Sequence, residues 1–430
     1  MIIDNKTGYT QSYNKDSYNA ILLTMFVQRL KNIGHLLIAI FANSYYRFPS
    51  KEIRVIGITG TDGKTTTANL IYHILSSSGK KTSIVSTVSA VIGTHEYDTG
   101  FHVTTPSSFD VQKYLRQAVS DGSEYFILET TSHALDQNRV FGVEFDLAVI
   151  TNITHEHLHY HGTFDNYVQS KSRLMHLSKK TFINKDDSSY ESLLKYVGKS
   201  HVETYGIESG ADHSIDISKL IGMPLARFNI YNYLAAYLIC KESGLLDSEI
   251  IDHMRTFTLP AGRLEVVYQK EFTVIVDFAH TPNALHEALS SIRSTFVSNG
   301  RLIHVFGAAA FRDDEKRAPM GRASAKYSDL VIITEEDYRT EDPFDIASQI
   351  SKGLDEAGFQ RVDQDVFGKG TKQYTVIINR QEAVARACKV ARKGDVIVLT
   401  GKGHEMSLNR NGKEHHWNDK ESVLQILKKS

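Results

Sequence analysis

A glycine-rich turn that contains a lysine and a threonine has the residue types of a phosphate site. Gly60-Thr-Asp-Gly-Lys-Thr65 directly follows the apolar stretch RVIGIT and precedes the helical pattern ANLIYHILSSSG. In such a turn, backbone N–H groups and the positive end of the helix bind phosphate, the lysine neutralises charge, and the threonine hydroxyl can ligate Mg²⁺. The turn departs from the general P-loop pattern, because Ile58 rather than glycine stands five residues before Gly63. The pattern predicts a nucleoside triphosphate site, the alternative being a chance Gly-Lys-Thr turn.

A carboxylate and a run of histidines are the other candidates. Glu129 follows an apolar strand candidate, where a carboxylate would face the crevice in which open α/β sheets bind ligands. It could ligate Mg²⁺ there, or it could cap the next helix. His155-Glu-His-Leu-His-Tyr-His161 has histidines at alternate positions, so an extended segment would set all four on one face, as in a zinc hydrolase. Solvated or packed roles are the more ordinary interpretation of such histidines.

Alternating strands and helices would position these residues. Strand candidates at Thr82 to Ser86, Tyr125 to Leu128 and Leu147 to Thr151 are separated by helical patterns such as Phe109 to Val119. After Thr258-Leu-Pro-Ala-Gly-Arg263 a second alternation begins. Its strand candidates are Thr273 to Val276, Leu302 to Phe306, Leu330 to Thr334, Thr375 to Ile378 and Val396 to Thr400. The pattern predicts an α/β fold with parallel sheets covered by helices, in two domains at 51–258 and 259–430.

The first 50 residues differ from the rest. From Tyr18 to Tyr46 the apolar residues have helical spacing, interrupted by Gln28, Arg29, Lys31 and Asn32. This predicts a short helical N-terminal segment, 1–50, made of one or two amphipathic helices. Such a helix could pack on the next domain or lie in the plane of a membrane surface.

Composition narrows the class of protein. The 430 residues carry 49 Lys and Arg against 50 Asp and Glu, which argues against a nucleic-acid or anionic-membrane footprint over the whole molecule. Two cysteines, Cys240 and Cys388, predict no disulfide framework and fit a reducing compartment, the cytoplasm by default. No secretory signal is visible, and the longest apolar stretch, Leu36 to Ala42, predicts no transmembrane segment.

Seven further motifs, together with the short turn GTDGKTT, make the sequence resemble the Mur ligases, the ATP-dependent amide-forming enzymes of peptidoglycan precursor synthesis. The resemblance is strongest to the type that adds the third amino acid to UDP-MurNAc-L-Ala-D-Glu, and it covers about Arg54 to the C-terminus. The motifs occur in the expected order, at Thr104–Pro106, Glu129–Gln137, Tyr160–Thr163, Lys171–Leu174, Gly262–Glu265, Asp277–Pro282 and Gly401–Glu405.

The resemblance implies a P-loop central domain, a C-terminal Rossmann-like domain, and activation of a carboxylate as an acyl phosphate by ATP. Asn229 and Asn232 match the segment that approaches adenine, although Asn229 could instead cap a helix. The implied ATP residues are Gly60, Thr61, Asp62, Gly63, Lys64, Thr65, Thr66, Asn229, Asn232, Arg263, Asp277 and His280.

The resemblance also implies two Mg²⁺ sites and a modified lysine. From the sequence alone Lys171 would be an ordinary helix-surface lysine, but the matching family lysine is carbamylated by CO₂ and helps to hold metal. Lys64, Glu129, His157 and Lys171 are the implied catalytic residues. The implied metal ligands are Thr65, Glu129, His157 and carbamylated Lys171.

Substrate selection resembles the diaminopimelate type, with departures. The family's Asp-Asn-Pro-Arg is Glu336-Asp337-Tyr338-Arg339 here, and its Cys-Gly-Gly-Asp is Ala308-Ala-Ala-Phe311. The arginine could grip a distal carboxylate that lysine lacks, so L-lysine is the alternative amine. The implied contacts to the first substrate are Thr104, Thr105, Ser132, Gln137 and Arg139; those to the amino acid are Arg312, Glu336, Asp337, Arg339, Gly401 and Glu405.

The N-terminal segment is the largest departure from the family. Enzymes of this type usually have an N-terminal domain roughly twice as long, which holds the uridine diphosphate. A related peptide carrier is therefore an alternative first substrate. A folylpolyglutamate synthase-like enzyme and a nucleotide-binding subunit without turnover are further alternatives. The expected partners are small molecules bound by a monomer, with peripheral membrane contact through the N-terminal helix as a further possibility.

Overall fold

The computed structural model describes residues 31–97, 104–154, 156–198, 201–208, 210–223, 225–311 and 314–429. Within these residues the chain forms two helix-covered sheets, preceded by a helix at 31–45. The predicted N-terminal helix is therefore present over residues 31–45, while the part of that prediction on residues 18–30 lies outside the described residues. No helix within the described ranges is long and apolar enough to cross a membrane.

The helices alternate with strands along the chain. They are α1 (31–45), α2 (Lys64–Ser77), α3 (Ser108–Ser120), α4 (Ser132–Asp136), α5 (Leu158–His161), α6 (Phe164–Leu177), α7 (Tyr190–Leu194), α8 (Ile217–Ile221), α9 (Arg227–Glu242), α10 (Asp247–Thr256), α11 (Pro282–Phe296), α12 (Arg317–Tyr327), α13 (Pro343–Glu356), α14 (Arg380–Val390) and α15 (Asp419–Lys429). Short 3₁₀ helices lie at Pro49–Lys51 and Asp314–Lys316.

Most strands are short, apolar and buried. They are β1 (Arg54–Thr59), β2 (Thr82–Val85), β3 (Ala90–Ile92), β4 (His95–Tyr97), β5 (Tyr125–Glu129), β6 (Phe145–Ile150), β7 (Ser178–Asn184), β8 (Val202–Gly206), β9 (His213–Ser214), β10 (Glu265–Gln269), β11 (Thr273–Asp277), β12 (Leu302–Phe306), β13 (Leu330–Ile333), β14 (Gln360–Arg361), β15 (Gln373–Val376), β16 (Val396–Thr400), β17 (Ser407–Arg410) and β18 (Lys413–His416).

The first sheet has the order β4-β3-β2-β5-β1-β6-β7-β8-β9 and is parallel except for β3 and β4. The strand β1 lies between β5 and β6, with Ile58 opposite Glu129 and Thr59 opposite Ile150. Because parallel strands end at one edge of the sheet, the turn after β1 and the carboxylate that ends β5 are neighbours. This register brings together two candidates that lie 64 or more residues apart in sequence.

The second sheet has the order β10-β11-β16-β12-β13-β15-β14, with β10 alone antiparallel among these strands. Asp277 at the end of β11 is paired with Thr400 at the end of β16. Apolar clusters lie on both faces of each sheet, as expected where helices cover parallel strands. The predicted α/β fold is thus confirmed, and Thr256 and Glu265 bracket the change from one sheet to the next.

Candidate active site

The turn after β1 is held by backbone and side-chain hydrogen bonds to the end of β6. Thr61 N donates to Asn152 O at 2.8 Å, and Asp62 N donates to Asn152 Oδ1 at 2.9 Å. Gly63 has φ 82°, and a Cβ there would lie 2.2 Å from Asn232 Oδ1. Only glycine fits this position, because both the left-handed backbone and the close approach exclude a side chain. The turn then leads into α2, whose first turn leaves N–H groups available for phosphate.

Glu129 is fully buried beside the start of α2. Its Oε1 accepts from the Thr65 hydroxyl at 3.1 Å and the Thr87 hydroxyl at 2.9 Å, and Thr87 N donates to Oε2 at 2.9 Å. It does not cap α4, because the Thr131 side chain does, accepting from Ala134 N. Among the described residues, no lysine, arginine or histidine nitrogen lies within 4 Å of this carboxylate. A buried carboxylate held only by neutral donors suits a cation, which supports its predicted role as a metal ligand.

Lys171 is buried, which is not what its sequence context alone suggests. Its Nζ donates to Gly60 O at 2.6 Å and lies 4.7 Å from the centre of the Tyr167 ring. Burial, and then the charge of Lys64, lower the pKa of Lys171 well below its ordinary value, although Glu156 acts in the opposite direction. A neutral amine is the form that can react with CO₂, so this environment suits the carbamylation that the resemblance implies.

A buried glutamate links two histidines from the two halves of the molecule. Glu156 Oε2 lies 3.6 Å from His157 Nε2, and its Oε1 lies 3.4 Å from His280 Nε2. Burial alone would raise the pKa of Glu156, but His157 and His280 outweigh it and hold that pKa well below its ordinary value. His157 has φ 57°, an uncommon backbone for a non-glycine residue that turns the ring toward the His133 ring, 5.0 Å away.

Side chains of the second sheet reach the phosphate turn directly. Arg263 Nη2 donates to the Thr65 hydroxyl at 3.3 Å, and Asn283 Nδ2 donates to Asp62 Oδ2 at 3.1 Å. Asp277 accepts from Leu264 N and Ala279 N, each at 2.8 Å, which fixes the loop that carries Arg263. The two halves therefore meet around the turn, where they would enclose a nucleotide.

The predicted adenine residues lie inside α9, not at its cap. The helix begins at Arg227, and Asn229 N donates to Ala226 O, so Asn229 is within the first turn. Its Oδ1 accepts from Asn232 Nδ2 at 3.1 Å. Both asparagines are buried in the wall of the cavity between the two halves.

A cavity of about 780 Å³ joins these features. The predicted residues that line it are Thr61, Asp62, Gly63, Lys64, Thr65, Thr66, Thr104, Thr105, Glu129, Arg139, His157, Asn229, Asn232, Arg263, Asp277, His280, Arg339 and Glu405. Those that do not line it are Gly60, Ser132, Gln137, Lys171, Glu336, Asp337 and Gly401. Arg312 lies outside the described residues.

Some predicted residues away from the cavity wall support others that line it. Gln137 Oε1 accepts from Arg139 Nη2 at 2.7 Å, while Arg139 Nη1 donates to Thr105 O at 2.8 Å. Ser132 is buried, with its hydroxyl 3.0 Å from His161 Nε2. Arg139 is thus held in a fixed orientation, which suits a guanidinium that recognises a carboxylate or phosphate.

The wall of the cavity also contains Arg339 and Glu405. Arg339 is half-buried with φ 50°, its N–H donates to Asn409 O, and its guanidinium has no ion pair among the described residues. Lys402 is fully buried between Asp337 Oδ1, at 2.9 Å, and Glu405 Oε2. The Asp337 carboxylate therefore faces Lys402 inside the protein, whereas the Arg339 guanidinium is available to an anion.

Several residues that line the cavity were not predicted as site residues from the sequence. Asn152, Asn184, Asp187, Arg227 and His404 also line the cavity. Burial, and then Arg263, lower the pKa of His404 to about 4, so this ring is neutral near pH 7. Asn152 and Asn184 follow or end strands β6 and β7, and polar residues at strand ends are the signal that could have identified them.

The side chains around the turn offer few ligands for Mg²⁺. No cluster of three or more His, Cys, Asp or Glu among the described residues is arranged to hold a metal. Magnesium is commonly held by one or two carboxylates together with substrate phosphates. The Glu129 carboxylate and the Thr65 hydroxyl beside it fit that arrangement, with the phosphates supplied by the nucleotide.

Comparisons with known proteins agree with this geometry. Residues 58–240 match the family model described as Mur ligase middle domain, and residues 262–403 match that described as Mur ligase, glutamate ligase domain. A UDP-N-acetylmuramoyl-L-alanyl-D-glutamate–2,6-diaminopimelate ligase 1 from Clostridium acetobutylicum is 34% identical over 417 residues, covering 92% of this chain and 82% of the relative.

Two solved structures extend the comparison. A structure of a UDP-N-acetylmuramoyl-L-alanyl-D-glutamate–2,6-diaminopimelate ligase has a TM-score of 0.56 at 28% identity, covering 88% of this chain and 78% of that one. A bifunctional folylpolyglutamate synthase/dihydrofolate synthase from Yersinia pestis has a TM-score of 0.65 at 17% identity, covering 85% and 90% of the two chains. At that identity the second likeness concerns the fold alone.

Proposed function

Because the chain belongs to the Mur ligase family, we propose that it is an ATP-dependent ligase that adds 2,6-diaminopimelate to UDP-N-acetylmuramoyl-L-alanyl-D-glutamate. The reaction belongs to peptidoglycan precursor synthesis. The observation that carries the proposal is one cavity lined both by the phosphate-binding turn and by Arg339, whose guanidinium has no ion pair among the described residues.

In this proposal the γ-phosphoryl group of ATP is transferred to the D-glutamate carboxylate. The amine then attacks the acyl carbon, the C–N bond forms, and phosphate leaves. Lys64 and the N–H groups that begin α2 neutralise the phosphates, and Arg263 adds a positive charge from the second sheet. No side-chain nucleophile is needed, so catalysis rests on positioning and charge stabilisation.

Glu129, Thr65, His157 and carbamylated Lys171 are the residues that would hold Mg²⁺. When bound, the metal would neutralise phosphate charge and polarise the transferred phosphoryl group. The carbamate is supported by the lowered pKa of Lys171, because a lowered pKa favours the neutral amine that reacts with CO₂. Carbamylation would place an anion beside the nucleotide site. The second metal remains a proposal that rests on this modification.

The amino acid would bind between Arg339 and Glu405. The guanidinium suits the distal carboxylate of diaminopimelate, because two parallel N–H···O bonds can form with a carboxylate. Glu405, held by Lys402, would receive the amino group at the other end. L-lysine would instead bring its side-chain ammonium toward Arg339, which disfavours it.

The remaining predictions on partners and location stay predictions. They are a monomer acting on small molecules, peripheral membrane contact through α1, and a cytoplasmic location. The location fits two unpaired cysteines and the need for ATP. The folylpolyglutamate alternative is disfavoured because its support is a fold likeness at 17% identity, whereas the diaminopimelate ligase is 34% identical.

The test is phosphate release from ATP with UDP-MurNAc-L-Ala-D-Glu, with the amine varied. Release that requires both the nucleotide dipeptide and meso-diaminopimelate would support the proposal. Release with L-lysine in place of diaminopimelate would overturn the amine assignment. Release with a folate and glutamate would favour the folylpolyglutamate alternative, and no release with any pair would favour a binding subunit without turnover.

A further inference from the structure

Helix α1 packs on the first sheet's domain through its small and polar face. Asn32, Ala39, Ala42 and Asn43 lie on this face, and all but Asn32 are buried. Asn32 Nδ2 donates to Asp136 Oδ2 at 2.9 Å, and Asn43 Nδ2 donates to Gly142 O at 3.2 Å. Hydrogen bonds and small side chains therefore attach the helix to α4 and the loop after it, so its large apolar side chains are not needed for that contact.

The large apolar side chains lie on the opposite face. At 100° per residue, the exposed large apolar side chains of α1 span an arc of about 160° around the helix. No charged residue lies within this arc. Leu37 is 63% exposed, Phe41 60% and Tyr45 65%. The full exposed apolar set of α1, here called the apolar face, is Ile33, Leu37, Ile38, Ile40, Phe41 and Tyr45.

The sequence in and around α1 contains basic residues but no acidic ones. Asp and Glu make up 50 of 430 residues, yet none occurs from Ser17 to Lys51, a stretch with four basic residues. Of these, Lys31 begins α1, Arg47 lies two residues beyond its end, and Lys51 is paired with Glu144, its Nζ 3.7 Å from Glu144 Oε1. An apolar face whose own helix carries no acidic residue and has a cation near each end matches the chemistry of an anionic lipid surface, where apolar burial and charge attraction act together.

The apolar face lies close to the predicted first-substrate residues. Asn138 Nδ2 donates to Asn32 O at 3.3 Å, and Gln137 and Arg139 flank Asn138 in the chain. At the other end of α1, the Phe41 ring centre lies 5.9 Å from that of Phe109, which follows Thr104 and Thr105 by a few residues. A surface bound at α1 would therefore border the mouth of this site.

We propose that the apolar face of α1 docks on an anionic phospholipid bilayer, with Lys31 and Arg47 at the lipid headgroups. The helix lies in the plane of the surface and does not cross it. The docking does not depend on which amine the enzyme adds, so it is tested separately from the ligase reaction.

The test uses the full chain in co-sedimentation with vesicles of phosphatidylcholine containing about one third phosphatidylglycerol. We expect binding at low salt that weakens at high salt and is lost with pure phosphatidylcholine. The double variant Leu37→Glu/Phe41→Glu should lower the partition coefficient at least tenfold. Its matched control, Leu194→Glu/Leu220→Glu, changes two leucines with about 40% exposure elsewhere and should bind like the unmodified chain.

A second measurement covers the case in which the double variant does not fold. The chain has one tryptophan, Trp417, which is buried, so Phe41→Trp adds an exposed reporter. Its emission should shift to the blue with anionic vesicles and stay unchanged with neutral ones. Absence of vesicle binding by the full chain, or binding that the double variant retains, would overturn the proposal. A dimer that the double variant dissociates would overturn it in favour of a second copy.

Discussion

Replacing Arg339 by alanine tests whether one guanidinium selects the amino acid. The side chain is half-buried in the wall of the cavity, without an ion pair among the described residues. Its loss should therefore remove an interaction with substrate and leave internal contacts intact. We expect the variant to fold normally, to bind ATP normally and to use diaminopimelate poorly.

The magnitude follows from the burial of this group. Hydrogen bonds to charged groups contribute about 1.5–3 kcal/mol each. Because water competes at a half-exposed guanidinium, we take about that range for the pair of bonds together. The value of kcat/KM for diaminopimelate should then fall about 10- to 150-fold, since each 1.4 kcal/mol is a factor of about ten.

The assay is steady-state phosphate release with diaminopimelate or L-lysine varied at saturating ATP. The KM for ATP should change by less than about twofold, because among the described residues no hydrogen bond or ion pair joins the Arg339 side chain to the phosphate turn. Arg322→Ala is the matched control, since Arg322 is exposed and pairs with Glu356 on the surface of α12 and α13. An equal loss with both amines, or no loss with diaminopimelate, would refute the selectivity argument.

Three further changes test the rest of the site. Lys64→Ala should lower kcat at least about 100-fold, measured as ADP release, with an unchanged circular dichroism spectrum. Lys171→Arg should abolish turnover and the ¹³C carbamate signal formed from labelled bicarbonate, because a guanidinium stays protonated. Since the pKa of Lys171 is lowered, the wild-type signal should fade only as falling pH protonates the amine; a signal that persists in the variant would contradict this assignment. Lys402→Met leaves two carboxylates without their buried partner, so the free energy of unfolding in urea should fall by about 3–5 kcal/mol; an unchanged midpoint would show that Lys402 does not hold Asp337 and Glu405.

The sequence was sufficient for those features that depend on local pattern. The apolar run, glycine turn and helix at Arg54–Ser77 were predicted because each has its own signal over adjacent residues. Glu129 was correctly assigned to a strand end for the same reason. The choice between a metal ligand and a helix cap was not local, because Thr131, two residues further on, is an equally good cap and takes that role.

Features that depend on long-range packing could not be predicted. Lys171 looks like a surface lysine in its helix, and only the contact with Gly60, 111 residues earlier, makes it a buried group with a lowered pKa. Likewise, Asn283 lies in α11 with no motif of its own that points to Asp62, 221 residues earlier. In both cases the partner is fixed by strand order and by the approach of the two halves, which periodicity does not encode.

The Asp337 carboxylate gives a physical reason why aspartate in place of the family's asparagine need not change the amine that is selected. A carboxylate exposed to the cavity would attract a second ammonium group and so favour lysine. Asp337 Oδ1 instead accepts from Lys402 Nζ at 2.9 Å and from Asn409 N at 3.0 Å, so its charge is compensated within the protein. Glu405 shares the same lysine, whereas the Arg339 guanidinium, which also lines the cavity, has no ion pair among the described residues. A distal carboxylate is therefore still favoured there over a distal ammonium.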